Sequence, residues 1–242
     1  VVLGLGVVAG FLALDLVSSF NGGWWPVPLV VVAVAAAAGW ARLPQTRPAR
    51  RLLGRPVLAA LLWALVTGPA GVSVLNFLVP YLWTEAEHAS PVATGLALLA
   101  FSLAMAAVSP AAGLLADRRG NMPVALAGMA VILAGSVVLF ADVVTGLVLM
   151  GVGNGLFAGP LSAAVLRHTP PELNGTSGGV SALARNFGFA LGPALGSLAW
   201  TWTGGGAAGF RMGALAVVLL TATGTVATGL AWRRESRSGR VP

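Results

Sequence analysis

The stretch GLLADRRGNMP, Gly113 to Pro123, separates two long apolar runs. Three charged residues, Asp117, Arg118 and Arg119, stand side by side in it, although charged residues make up only 9% of the chain. Gly113 and Gly120 bracket the cluster and Pro123 follows. Glycine permits a tight reversal of the backbone. A chain that saves its few charges for such a turn is keeping them out of an apolar interior.

Composition around the turn says which interior. Hydrophobic residues form 57% of the 242, and the mean hydropathy is +0.88. A soluble domain carries about a quarter charged residues, so this chain has too few to cover a globular surface. A lipid-facing exterior needs apolar runs of roughly 20 residues, and several are present. No alternation of period two is sustained, which argues against a membrane β-barrel. Helices satisfy their backbone hydrogen bonds internally in lipid. The fold class is therefore an all-α membrane protein.

Eight helices are predicted, at about 1–19, 27–41, 56–82, 92–116, 122–141, 143–166, 177–199 and 210–232. Turn formers mark nearly every junction: Asn21-Gly22-Gly23, Pro44 and Pro48, Pro91, Gly120 with Pro123, Pro170-Pro171, and Gly204-Gly205-Gly206. This divides the chain into two leading helices (1–41), an Arg/Pro-rich connection (42–55), a six-helix unit (56–232) and a basic tail (233–242). Val1 opens directly on an apolar run with no basic segment ahead of it, unlike a signal peptide. The expected reading is a chain that starts inside a spanning helix of something longer.

All fourteen basic residues are arginines, and twelve of them fall on alternate connections and the tail. Arg42, Arg47, Arg50, Arg51 and Arg55 lie in the second connection, Arg118 and Arg119 in the fourth, Arg167 in the sixth, and Arg233, Arg234, Arg237 and Arg240 in the tail. Glu85, Glu87 and Asp142 lie on the other side. Positive loops stay cytoplasmic, so both termini are expected in the cytoplasm and the chain in the cell membrane. Tryptophans cluster near the two boundaries, where indoles prefer the headgroup level. Trp63 lies deeper and reads as ordinary packing. The charge of +7 thus sets topology, and arginines 42–55 can also touch anionic lipid; nucleic acid is not an expected partner. With no cysteine, neither disulfides nor thiolate metal sites are available. His88 and His168 read as loop residues on opposite sides, unable to share a metal. No cofactor or enzyme motif is found.

The opening turn resembles the loop signature of the major facilitator superfamily, carried here by Gly113, Asp117, Arg118 and Gly120. The resemblance implies a conformational latch, in which the aspartate pairs across the loop or caps a helix start. The family's basic residues after the last glycine are replaced by Asn121-Met122-Pro123, which weakens that reading against a turn that only sets topology. A second resemblance runs from GVGNGLFAGP (151–160) into RHTPPELNGTSGGVSALARNFGFALGPALG (167–196). It is similar to the twelfth and thirteenth helices of the fourteen-spanner drug:proton antiporters. The two leading helices also fit, because that family inserts an extra pair between its six-helix halves. The resemblance implies a C-terminal portion, a missing N-terminal half as partner, and proton-coupled export of hydrophobic or cationic drug-like compounds. A facilitator-type nutrient transporter and a non-transporting truncated or half-transporter protein are the alternatives.

Independently of family, Gly151, Gly155 and Gly159 form one helical stripe, and Gly188, Gly192 and Gly196 another. Small residues four apart let helices approach closely in lipid, for static packing or for sliding. Residues 56–141 and 143–232 can be divided into two three-helix units by helix count. Arg185, with Asn186 beside it, is the strongest pathway candidate, because charge inside a membrane defaults to a functional reading; it binds an anion, pairs with a distant carboxylate or snorkels to the interface. Asp15 would carry a proton if buried, since burial raises a carboxyl pKa; its neighbours Ser18, Ser19 and Asn21 suggest a solvated helix end instead. Asn76 and Asn154 are cavity candidates.

Overall fold

The computed structural model describes residues 46–86 and 90–237, with no side-chain account of 85 and 86. The two leading spans, Asp15, Arg42, Glu87, His88 and Arg240 therefore lie outside the described residues. All regular structure within them is helical, as the composition requires. α1 is Arg47–Leu53 and α2 is Pro56–Tyr81, continued by a π-helical turn, Leu82–Ala86. α3 is Pro91–Arg119, α4 Asn121–Val138 and α5 Val143–His168. A 3₁₀ turn, Pro171–Leu173, leads into α6, Asn174–Thr203, and α7 is Gly206–Arg237.

Local chemistry sets these ends. Pro56 and Pro91 open α2 and α3, where a missing N–H costs nothing. Ser90 Oγ accepts from the Ala93 amide at 3.2 Å, and Asp142 Oδ2 from the Thr145 amide at 2.7 Å, each satisfying an orphan donor of a first turn. α3 and α4 are joined by Gly120 alone, at φ 86° and ψ 157°, a conformation essentially restricted to glycine. Two expectations are corrected here. His168 is the last residue of α5 rather than a loop residue. α7 runs to Arg237, so residues 233–237 of the expected tail are helical; nothing in WRRESR breaks a helix.

Five of these helices are long and apolar enough to cross a membrane: α2, α3, α4, α5 and α7. α6 is 30 residues long but falls outside that set. Its first half, NGTSGGVSALARN, is too rich in glycine, hydroxyl and amide groups.

The helices pack by a rule that repeats. α2 lies against α6 and α7, and α5 lies against α3 and α4. α2 and α6 run parallel, since Gly188 meets Val66 and Gly196 meets Phe77; α5 and α3 do too, since Gly151 meets Phe101 and Gly155 meets Met105. α2 and α7 are antiparallel, with Gly71 on Thr221 and Gly213 on Leu78; α5 and α4 are as well, with Gly128 on Phe157 and Gly146 on Leu139. Exchanging α2, α3, α4 for α5, α6, α7 reproduces the arrangement. Because α2 and α5 start from opposite ends, the two triplets are inverted, an organisation found in transporter folds. The described arginines of α1, α3 and α5, with those at the end of α7, consequently gather at one end of the bundle, and Asp142 and Arg211 lie toward the other.

Burial follows the same plan. In α2, 72% of the most apolar stretch is buried, against 17% in α3. Lipid offers no hydrophobic drive between helices, so close backbone approach and interhelical hydrogen bonds must hold them. A Cβ on Gly128 would sit 2.7 Å from the Phe157 amide nitrogen, and one on Gly153 would sit 2.6 Å from that of Ile132. Gly135 and Gly146 are equally tight against Met150 and Leu139. Both helices thus offer glycines seven residues apart, and the pairs interlock. Across the bundle, Ser136 and Thr221 hydroxyls meet at 3.3 Å and Thr225 donates to the Met129 carbonyl at 3.3 Å. Trp63, expected to pack, is exposed, and its indole donates to Thr223 at 3.2 Å.

The α2–α6 contact contains a repair. Pro193 interrupts α6 and has no N–H, so the carbonyl four residues earlier, on Phe189, loses its helical donor. Ser73 Oγ of α2 donates to that carbonyl at 2.6 Å. Gly192 sits against the same serine, whose side chain occupies the space a Cβ would need.

Candidate functional site

The Gly113–Pro123 turn lies at the arginine-rich end. Asp117, Arg118 and Arg119 form the last turn of α3 and are exposed, where cations complement the helix C-terminus. The Gly120 amide donates back to the Ala116 carbonyl at 2.8 Å. Gly113 is exposed, and nothing stands within 4 Å of where its Cβ would be. The turn forms one wall of a cleft of about 580 Å³, closed by Arg167 and His168 at the end of α5 and by Trp232 and Glu235 of α7.

Sequence reasoning missed the contact that closes this cleft. His168 Nε2 lies 3.4 Å from Glu235 Oε1, with both side chains about one-fifth exposed. His168 Nδ1 lies 2.8 Å from the Ala164 carbonyl, and a carbonyl only accepts, so Nδ1 carries a proton. The contact ties the ends of α5 and α7 together.

The pathway candidates stand elsewhere. Asn76 is exposed on α2, Asn154 half-buried on α5, and Arg185 and Asn186 exposed on α6. None has a hydrogen-bond or ion-pair partner among the described residues. Asn76 is on the side of α2 away from the residues that meet α7, by its position on the helical wheel. Arg185 lies about 5 Å along the axis from the midpoint of α6, at 1.5 Å per residue. Gly188, Gly192 and Gly196 rest on α2, and Gly151 and Gly155 on α3, while Gly159 is exposed with no atom within 4 Å of its Cβ position.

Carboxylates keep to the helix ends. Asp117 ends α3, Glu172 sits in the 3₁₀ turn, and Glu235 lies in the last turns of α7. Asp142 caps α5, where hydrogen bonds from Thr145, side chain first and backbone amide second, hold its carboxyl below the usual range. Among the described residues no group of three or more His, Cys, Asp or Glu is placed to hold a metal ion.

Inverted triplets of apolar helices, with charge gathered at their ends except for Arg185 on α6 and unpartnered polar groups along their length, define a polytopic membrane transporter fold. The chain belongs to the major facilitator superfamily, whose family profile matches residues 61–242. Among curated proteins, none matches the chain. Membership makes the protein a membrane transporter: a multi-pass protein of the lipid bilayer, acting on small-molecule substrates, in a family of transporters rather than enzymes.

Proposed function

We propose that the protein is the C-terminal portion of a proton-coupled exporter of the fourteen-spanner antiporter type, moving hydrophobic or cationic drug-like compounds by alternating access. The observation that carries this reading is the set of unpartnered polar side chains on the long helices, above all Arg185. A guanidinium near the middle of a 30-residue helix, with no ion-pair partner among the described residues, is costly against lipid. It is accommodated if it faces a water-filled passage or a carboxylate of a second six-helix half. Asn186, Asn76 and Asn154 then line the same passage.

In this reading the arginine-rich end faces the cytoplasm of the plasma membrane, by the bias of positive loops, and the Gly113, Asp117, Arg118 and Gly120 turn serves as the latch. The stripes through Gly151 and Gly155, and through Gly188, Gly192 and Gly196, are the surfaces on which α3 and α6 rock. The carboxylates placed in the described helices keep to helix ends, so in this reading protons run through Asp15 and through acidic residues of the second half.

Expression of the 242-residue chain in cells tests this. Alone it should give no ethidium efflux, and co-expression with the N-terminal half of a fourteen-spanner antiporter should restore efflux that collapses with the proton gradient. Robust gradient-driven efflux by the chain alone would overturn the need for a second half. Uptake of a nutrient in place of drug efflux would overturn the direction.

A further inference from the structure

Three clefts open side by side at the arginine-rich end. The largest, of about 580 Å³, is the one walled by the α3–α4 turn. A second, of about 340 Å³, shares Arg167, His168 and Glu235 with it and adds Arg55. A third, of about 280 Å³, shares Trp232 and Ser236 with it and adds Arg233 and Arg237. They form one basin. Six arginines, Arg55, Arg118, Arg119, Arg167, Arg233 and Arg237, line it against two acidic residues, Asp117 and Glu235. Glu235 is engaged by His168, and neither Arg118, Arg119 nor Arg167 forms an ion pair with any described residue.

We propose that this basin binds a phosphate group of net negative charge, presented by an anionic phospholipid headgroup or as free phosphate. Arginines that only set orientation need do no more than stand in water on the correct side. Here they come together from the start of α2 and the ends of α3, α5 and α7 around adjoining clefts whose lining holds six arginines and only two acidic residues. The planar guanidinium fork matches phosphate oxygens in pairs. Trp232, 39% exposed on the basin wall, offers an indole of the kind that settles at headgroup level. Bound phosphate would bridge the α3–α4 turn to α5 and α7, the two helices that the His168–Glu235 contact already joins.

The test uses the full chain in phosphatidylcholine nanodiscs. Phosphatidylglycerol is titrated in one arm and inorganic phosphate in the other, and retained ligand is read by native mass spectrometry. Phosphatidylglycerol should be retained in preference to phosphatidylcholine. An arginine near a charged membrane surface contributes enough that each of Arg118→Gln, Arg119→Gln and Arg167→Gln should weaken retention about five-fold. Arg211→Gln, which removes the same charge at the opposite end, should leave it unchanged. Displacement of the lipid by inorganic phosphate, or retention of phosphate alone, would assign the site to the free ion and keep its chemistry. Equal retention of the two lipids with no phosphate bound, or equal losses for Arg118→Gln and Arg211→Gln, would overturn the proposal.

Discussion

Replacing Ser73 by alanine removes one hydroxyl and tests how α6 tolerates its proline. That hydroxyl donates to the Phe189 carbonyl at 2.6 Å, a carbonyl that Pro193 deprives of its helical donor. Interhelical hydrogen bonds in membrane bundles average about 0.6 kcal/mol and reach about 1.7. A short bond to a carbonyl deprived of its i+4 amide donor belongs at the upper end, so Ser73→Ala should cost about 1.5 kcal/mol. The alanine keeps its Cβ, leaving the packing against Gly192 in place. In a Pro193→Ala background, residue 193 regains an amide that bonds Phe189 within the helix, and the serine becomes nearly redundant. Ser73→Ala should then cost about 0.5 kcal/mol, a coupling of about 1 kcal/mol in the double-mutant cycle. Reversible unfolding of the full chain in mixed micelles of rising SDS fraction, followed by far-UV circular dichroism, measures all four corners. Equal losses in the two backgrounds would refute the pairing of Ser73 with the proline break.

Gly153→Ala, whose Cβ would lie 2.6 Å from the Ile132 amide nitrogen, should destabilise the bundle by about 1–3 kcal/mol in the same assay. Gly159→Ala, with open space at that position, should be neutral or stabilising by up to about 1 kcal/mol. Gly120→Ala should lower the unfolding midpoint clearly, because φ 86° with ψ 157° strains any side chain by about 1–3 kcal/mol; no change in a melt would contradict a one-residue α3–α4 turn. Asp142 has a lowered folded-state pKa, so its contribution is present above the unfolded carboxyl range and is lost as pH falls through the folded value. Asp142→Asn, still a capping residue, should remove that acid-sensitive component of the melting temperature while largely keeping the neutral-pH value.

The helices were legible because two strong local signals coincide: apolar runs long enough for lipid, and glycine or proline at nearly every junction. The arginines were legible for the same reason, and the structure gathers the described ones of α1, α3 and α5, with those ending α7, at one end. α6 shows where that logic weakens. Its sequence reads as a spanning helix from its flanks, yet its hydroxyls, glycines and Arg185 leave it, alone among the six long described helices, without a stretch apolar enough to cross a membrane. The contacts that join helices were less visible. Gly128 with Gly135, and Gly146 with Gly153, repeat every seven residues, a spacing that a search for four-residue stripes passes over. Ser73 and Phe189 are 116 positions apart, and neither neighbourhood hints at the other. His168 looked like a loop residue because Thr169 and two prolines follow it, and only the fold brings Glu235 alongside. The candidate site was therefore readable as residue types, Asp117 and Arg118 in a glycine-bounded turn and a lone arginine in a span, but not as a set of neighbours.

Transport by this chain requires helices that cross a bilayer and leave the arginines of their connections on one side. The chain has no cysteine, so any cysteine introduced is the sole target for a membrane-impermeant maleimide. Placed at Ser236, beside the basin, it should be labelled from the cytoplasmic side alone; placed at exposed Ala141, beside the Asp142 cap, it should be labelled from outside alone. Labelling of both positions from the same side would contradict the inverted triplets, the orientation and the transport reading together.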